Sequence, residues 1–403
     1  MRVGIRYHLQ ALEHGDVKYE IFYYNAVSGV PEWLRLFHFD AVLLHTTFLC
    51  MRWSYLFHHW KWGLRWIRDL ECVKIAMPQD EYDHSEILDE WLYEWGVSVI
   101  FSNFDEHERK ILYPIMHGKA DFYKCFTGSI DEVIAKEYER RLLPIEERPN
   151  DIVYRATNLP YWFGSHGQLK HRIAEVVAER AKFHGLKCDI STSQEDTIVG
   201  DRWLDFLASG RAVIGCESGS SVLDRRGEIQ AQIRNMLEEN PVLSFEEVSA
   251  RLPRGWDGYR FFAISPRHFE SVVTKTCQVL VEGFYDGVLV PHEHYIPLKR
   301  DFSNIDDVLE KVRNDQYVRD MVERAYKKIY LSGKYTYQKM AMDFEKVISK
   351  QWEHGRTPNR SPNRLMLRLG YLAGHIRDRV GAEMARMEDG FWQSVRKLER
   401  FRR

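Results

Sequence analysis

Apolar residues in this chain come in short runs, separated by charged stretches with a helical repeat. "YEIFYYN" and "FDAVLLHTTF" are brief, aromatic or β-branched, and flanked by turn formers, the pattern of strands. "CVKIAMPQDEYDHSEILDEWLYEWGVSVIFSNF" is the clearest unit. It predicts a strand over Val73 to Met77, a polar loop, an amphipathic helix from about Ser85 to Trp95, a stop at Gly96, and a strand over Val97 to Phe101. Strand, helix, strand at this spacing is a βαβ crossover, which requires a parallel sheet. The opening "MRVGIRYHLQALEHGDVKYE" reads as a first strand followed by polar turn residues, and it lacks the apolar centre of a secretory signal.

"IDEVIAKEYERRLLPIEERPND" is a charged helix ending at prolines, and it serves as a connector. The alternation then restarts. "DIVYRAT", "LKCDIST" and "RAVIGCES" read as strands, with "GQLKHRIAEVVAERAKFHG" and "DRWLDFLASG" as helices. A polar helical excursion runs from Arg226 to Arg254, and the chain returns through "RFFAIS", a helix, "CQVLVEG" and "YDGVLVP". Two more helices close the alternation, the first capped by Ser303 or Asn304. The fold class is therefore α/β: two Rossmann-like domains facing across a cleft, with a C-terminal helical extension. The divisions fall at residues 1–150, 151–350 and 351–403. Ligands in such sheets bind beyond the carboxyl ends of the strands.

The chain has 403 residues and a formal net charge of −2, so no global basic field points to nucleic acid. No apolar run is long enough to cross a bilayer. The six cysteines stand singly, with no C-x-x-C pair, which indicates neither a zinc cluster nor a disulfide framework and suits a cytoplasmic location. In the last stretch, from about residue 351, arginine and lysine outnumber acids by roughly two to one. Such a tail is a solvated or packed-back helix, or one that meets an anionic membrane surface peripherally.

Candidate chemistry centres on "ISPRHFES". Ser265 can cap a helix that begins at Pro266. Arg267 and His268 in the first turn are unfavourable beside the positive helix end unless an anion offsets them. Glu270, one turn on, can accept two hydrogen bonds from vicinal hydroxyls of a ribose, or pair with Arg267 on the surface. "GCESGSSVLD" sets Glu217, Ser218, Ser220 and Ser221 at a strand's carboxyl end, as ligand contacts or as caps. "HEH" (His292, His294) lacks a third ligand nearby in sequence. "RWSYLFHHWKWGLRW" is either a core-packed helix with a wet side or a surface for lipid.

From "SPRHFESVVTKTCQVLVEGFYDGVLVPHEHYIPLKRDFSNIDDVLEKV" onward, the sequence resembles the nucleotide-binding half of GT-B glycosyltransferases, in the group-1-like, CgeB-type branch. The resemblance covers roughly residues 150 to 350. It implies transfer of a sugar from a UDP-sugar or GDP-sugar to a hydroxyl of a glycan or lipid-linked glycan, with no metal and no other cofactor, and retention of anomeric configuration. It implies that Glu270 holds the ribose and that Arg155, Lys170 and Arg267 face the diphosphate, with His268 beside them; in "NLPYWFGSHGQLK", Gly164 and Gly167 let the backbone come close to a ligand and Ser165 or His166 can donate to it, or the stretch is a plain strand-to-helix turn with a solvent lysine. Residues 1–150 would form the acceptor side, where Gln79, Asp80, Glu81 and His84 would project into the cleft and Asp80 or Glu81 would take the acceptor's proton, or the loop caps the next helix through Asp83 or Ser85 with its acids solvated. Phe262 stands where many relatives carry a further glutamate. That departure keeps open a GT-B protein that binds without turnover, and an epimerase of the sugar nucleotide is a further alternative.

Overall fold

The computed structural model describes residues 3–15, 19–25, 34, 37, 39–200 and 202–353. The chain begins with helix α1 (Val3–Leu9) and then lays down β1 (Ala41–His45), α2 (Thr46–Leu49), α3 (Phe57–Gly63), β2 (Val73–Met77), α4 (Ser85–Glu94), β3 (Val99–Ser102), α5 (Glu106–Leu112), β4 (Asp121–Lys124) and α6 (Glu132–Arg141). The four strands pair in parallel in the order β1-β2-β3-β4. β2 and β3 are buried at every residue, so apolar side chains dominate on both faces; Lys74 within β2 donates from its buried Nζ to the carbonyls of Arg68 (2.8 Å) and Leu70 (2.9 Å).

The second alternation is β5 (Asn150–Arg155), α7 (Gly164–Phe183), β6 (Cys188–Ser191), α8 (Arg202–Ala208), β7 (Gly210–Gly215), β8 (Ser218–Ser220), α9 (Glu228–Glu239), α10 (Phe245–Ser249), β9 (Phe261–Ala263), α11 (Pro266–Val273), β10 (Cys277–Val281), β11 (Ile296–Leu298), α12 (Ile305–Arg313), α13 (Asp315–Ala325) and α14 (Tyr337–Glu353). Five of its strands form a parallel sheet in the order β11-β10-β7-β5-β6. The expected α/β class with two parallel sheets is what the chain adopts. Ile152, Val153, Ala212, Val213 and Ile214, all almost fully buried, centre its core.

Several local expectations are corrected. The opening segment is a helix, not a strand: its buried positions His8 and Ala11 stand three apart, a helical spacing, and His8 bonds to His45 (2.9 Å). "YEIFYYN" joins no strand, because β-propensity without a ladder partner makes no sheet; Tyr19 packs instead on the cluster under the first sheet. "RFFAIS" leaves the main sheet, and β9 pairs antiparallel with β8. "YDGVLVP" opens as a tight helical turn over Tyr285–Gly287, with Asp286 left-handed (φ 53°). Asn304 does not cap α12 with its side chain, whose Oδ1 accepts from the Lys299 N–H (2.9 Å). His294 Nδ1 accepts from the Val290 N–H (3.1 Å), a structural bond.

The last helix recrosses the molecule. α14, placed by sequence with residues 151–350, packs on the first sheet: Phe344 stacks on Phe101 (ring centroids 3.8 Å, 7° between planes), and Val347 and Ile348 join Val73, Ile75 and Val99. The basic stretch from 354 onward lies outside the described residues.

Candidate functional site

The two sheets meet through the chain that follows their carboxyl ends. Lys124, the last residue of β4, donates to Asp286 Oδ1 (2.6 Å), and Asp286 Oδ2 accepts from the Ile264 N–H (2.7 Å) just before α11. Thr127 Oγ1 donates to the Ile264 carbonyl (2.9 Å). Beyond β2, the Tyr82 carbonyl accepts from the Asp224 N–H (3.0 Å), and Tyr82 stacks on Phe261 (6.1 Å). Leu223 and Phe261 thereby belong to the first unit's core. The carboxyl ends of both sheets thus border one junction, where an α/β fold places its ligand.

In the second sheet the strand order reverses between β5 and β7, and positive charge gathers there. Burial raises the Cys216 thiol pKa just past β7, while Lys170, Arg267 and Arg300 pull against that shift. Burial likewise pushes His166 down to about 3, and Lys170, Arg300 and Arg260 push it in the same direction. Sequence reasoning found Lys170 and Arg267 but missed Arg260 and Arg300, which belong to no motif. The one hint was their place, beside short apolar runs that become β9 and β11.

Around α11 the expectations divide. The helix starts at Pro266, but Ser265 makes no side-chain cap. Arg267 lies over the rings of Tyr154 (5.2 Å) and Trp203 (5.3 Å) and donates to the Arg155 carbonyl (2.7 Å), which holds its guanidinium beside the end of β5. Glu270 Oε2 accepts from Trp203 Nε1 (2.7 Å), so one carboxylate oxygen is oriented by the indole. His268 is a core residue: its Nδ1 pairs with Gln278 Oε1 (2.9 Å), and burial lowers its pKa to about 4. Its expected ligand contact is corrected to a neutral packing role. Arg155 is committed to Asp189, bonding its carboxylate (2.6 Å) and its carbonyl (3.0 Å).

The start of α7 is furnished by the protein itself. The Ser165 N–H donates to Asp257 Oδ2 (3.0 Å), and the His166 N–H donates to Ser221 Oγ (3.2 Å). Gly164, at φ 71°, is required here, since a Cβ would meet Asp257 Oδ1 at 2.1 Å and Ser221 Oγ at 2.4 Å. Gly167 likewise clears Phe163 rather than a ligand. Ser220 Oγ donates to the Phe163 carbonyl (3.1 Å), so both serines serve the turn into α7 rather than a bound molecule or the helix after them. Ser218 lies in β8 opposite Ala263. Glu217 Oε1 accepts from the N–H groups of Phe284 (3.1 Å) and Tyr285 (2.7 Å), anchoring the turn after β10. His166 Nε2 meets the Glu217 carbonyl (3.0 Å), and its ring stacks on Phe262 (3.8 Å).

In the first unit, Glu81 does not project into a cleft. It is fully buried and accepts from Ser102 Oγ, the Asn103 N–H and Tyr113 OH. The polar loop gives no sign in sequence of which acid turns inward, and the loop's path decides it. Asp80 is the exposed acid of that loop, its Oδ1 accepting from Tyr82 OH (2.6 Å). His84 pairs with Asp83 (2.6 Å) and packs on Gly227, and Gln79 Nε2 reaches the Thr127 carbonyl (3.3 Å). Among the described residues no cluster of three or more His, Cys, Asp or Glu is placed to hold a metal. No described helix is long and apolar enough to cross a membrane.

No family model matches the chain, and no curated protein matches its sequence. Among solved structures it is similar to TarM, at 10% identity and a TM-score of 0.43, over 72% of this chain and 53% of that one. It is also similar to an alpha-glucosyltransferase in complex with UDP-glucose and DNA containing an abasic site (11%, TM-score 0.43; 86% and 84% covered) and to a trehalose-6-phosphate synthase (13%, TM-score 0.42; 79% and 76% covered). The chain thus spans about half the length of the first of these.

Proposed function

We propose that the protein is a GT-B glycosyltransferase of the group-1-like, CgeB-type branch, moving a sugar from a UDP-sugar or GDP-sugar to a hydroxyl of a glycan or lipid-linked glycan. What supports this best is the placement of Arg267, whose guanidinium is held on the Arg155 carbonyl at the carboxyl end of β5, at the reversal point of the second sheet, with Lys170 and Arg300 acting electrostatically on Cys216 just past β7. The costly event in such a transfer is departure of the nucleoside diphosphate, which gathers negative charge on phosphate oxygens. Fixed cations in a partly dry crevice stabilise that charge, with each well-placed donor contributing about 3 kcal/mol. In this reading the cations make a metal unnecessary.

Glu270, with one oxygen steered by Trp203, accepts hydrogen bonds from the ribose hydroxyls. Arg267 is held by Tyr154 and Trp203 in the orientation that meets the diphosphate. Asp80, exposed at the end of the first sheet and fixed by Tyr82, takes the proton from the acceptor hydroxyl. A base-assisted displacement from the face opposite the diphosphate inverts the anomeric centre, so retention, which the resemblance implies, requires the acceptor oxygen to attack from the face the diphosphate leaves.

One observation favours a second reading, a protein that binds the nucleotide without turnover: Asp257 and Ser221 already occupy N–H groups at the start of α7, where a phosphate would otherwise be received. A thermal-shift panel of sugar nucleotides, followed by assay of sugar release and transfer, separates the readings. Stabilisation by one donor with release or transfer of its sugar supports the transferase. Stabilisation with no product under any donor and acceptor supports the binding protein, and isomerised donor without acceptor indicates an epimerase. A melting temperature unmoved by every nucleotide overturns all three.

A further inference from the structure

Between Asp40 and Asp69 the chain carries no acidic residue. This stretch contains α3 and the helical turns Cys50–Trp53 and Arg65–Asp69. One side of it is ordinary core: Phe57, Leu64 and Ile67 pack into the cluster that holds Trp91. The other side faces outward. Trp53 is 38% exposed, Tyr55 92%, Leu56 38% and Trp62 65%. Elsewhere in the described residues, large exposed apolar side chains are scattered along the chain, but here four fall within ten residues.

Cations accompany them. Arg65 is exposed and lies 4.1 Å from the centroid of the Trp62 ring, and Arg68, also exposed, pairs with Asp69 at the edge of the patch. Amphipathic aromatics flanked by arginine, with no acid in the run, match a bilayer's headgroup layer. There the rings leave water while their polar edges stay hydrated, and the cations meet lipid phosphates. Glu94 of α4 meets the run at Lys61, and the two charges pair.

The patch is rigidly built. Arg52 is buried beneath it, and its guanidinium donates to the carbonyls of Leu49 (3.0 Å), Gln79 (3.0 Å), Asp80 (2.9 Å) and Asp83 (3.0 Å). Those bonds join the aromatic turn to the loop that carries Asp80. We infer that this face docks on a bilayer surface containing anionic phospholipid, setting the carboxyl end of the first sheet next to the membrane. Lipid docking here is independent of which reaction the junction performs.

The test is flotation of the full chain with vesicles of phosphatidylcholine mixed with phosphatidylglycerol, against phosphatidylcholine alone. The wild-type chain is expected to float with the mixed vesicles and not with the neutral ones. Tyr55→Ser/Trp62→Ser should weaken that binding about tenfold or more, without lowering the melting temperature, because both side chains face solvent. Arg65→Glu/Arg68→Glu should weaken it as well. Three results would overturn the inference: no flotation of the wild type; flotation of Tyr55→Ser/Trp62→Ser equal to wild type, which would assign binding to the basic stretch beyond residue 353; or no vesicle binding alongside self-association that the aromatic variant abolishes, which would make the occupant a second copy.

Discussion

Glu81 offers the sharpest test, because two incompatible roles meet in one side chain. As a proton acceptor for the substrate it would face solvent, but it is instead fully buried beneath the loop after β2. Its carboxylate accepts from Ser102 Oγ (2.7 Å), the Asn103 N–H (2.6 Å) and Tyr113 OH (2.5 Å), which ties the end of β3 and the end of α5 to that loop. Glu81→Ala strands three buried donors. Two are hydroxyls that can rotate toward other acceptors, so each costs about 1 kcal/mol, and the fixed N–H costs about 2, for a total of about 4 kcal/mol. Glu81→Gln keeps the shape and one acceptor, and should cost about 1 kcal/mol.

A pH signature accompanies this. Burial raises the Glu81 carboxyl pKa above its ordinary 4.5, against the opposing pull of its three hydrogen bonds and Arg109. A folded state that holds a proton more tightly than the unfolded chain loses stability as pH rises. The favourable contribution is therefore complete below the unfolded value and disappears as pH climbs through the folded one. Urea unfolding of wild type and Glu81→Gln across that window should show a downward slope in the wild type that the variant lacks. Unfolding of Glu81→Ala within about 1 kcal/mol of wild type, together with abolished turnover, would refute the structural role and make Glu81 a reacting group.

Other outcomes follow from the second unit. Glu270→Ala should reduce affinity for a ribonucleoside diphosphate about tenfold and leave its deoxyribose analogues nearly unchanged, as read by calorimetry; an equal loss for both would remove the ribose assignment. Arg267→Ala should lower turnover about a hundredfold or more with a smaller proportional loss of melting temperature, whereas matching losses would return Arg267 to its stacking between Tyr154 and Trp203. Asp257→Asn removes a negative charge from the start of α7, so it should tighten nucleoside diphosphate binding while costing up to about 1 kcal/mol of stability; unchanged affinity in titration would place the phosphates away from that helix.

Sequence by itself determined the alternation. β2, α4 and β3 were legible almost to the residue because a strand buried on both faces is mostly apolar, while the helix between them keeps one wet side. The same logic located β5, α7, β7 and β10, and so the sheet whose carboxyl ends border the candidate site. Charge balance and the single cysteines were composition, and needed no fold. Tertiary structure alone decided which polar side chains face the junction. Glu81, His166 and His268 look like reactive residues in sequence, yet each points into the protein, because the turn that carries it finds its hydrogen-bond partners there. Arg260 and Arg300 look like solvent charges, yet each acts on a residue just past β7, Arg300 on Cys216 and Arg260 on Glu217. The helical start of the chain, the detour of β9 and the return of α14 to the first sheet were hidden for the same reason. Local pattern specifies whether a segment has an apolar face, but only long-range contact specifies the partner that covers it.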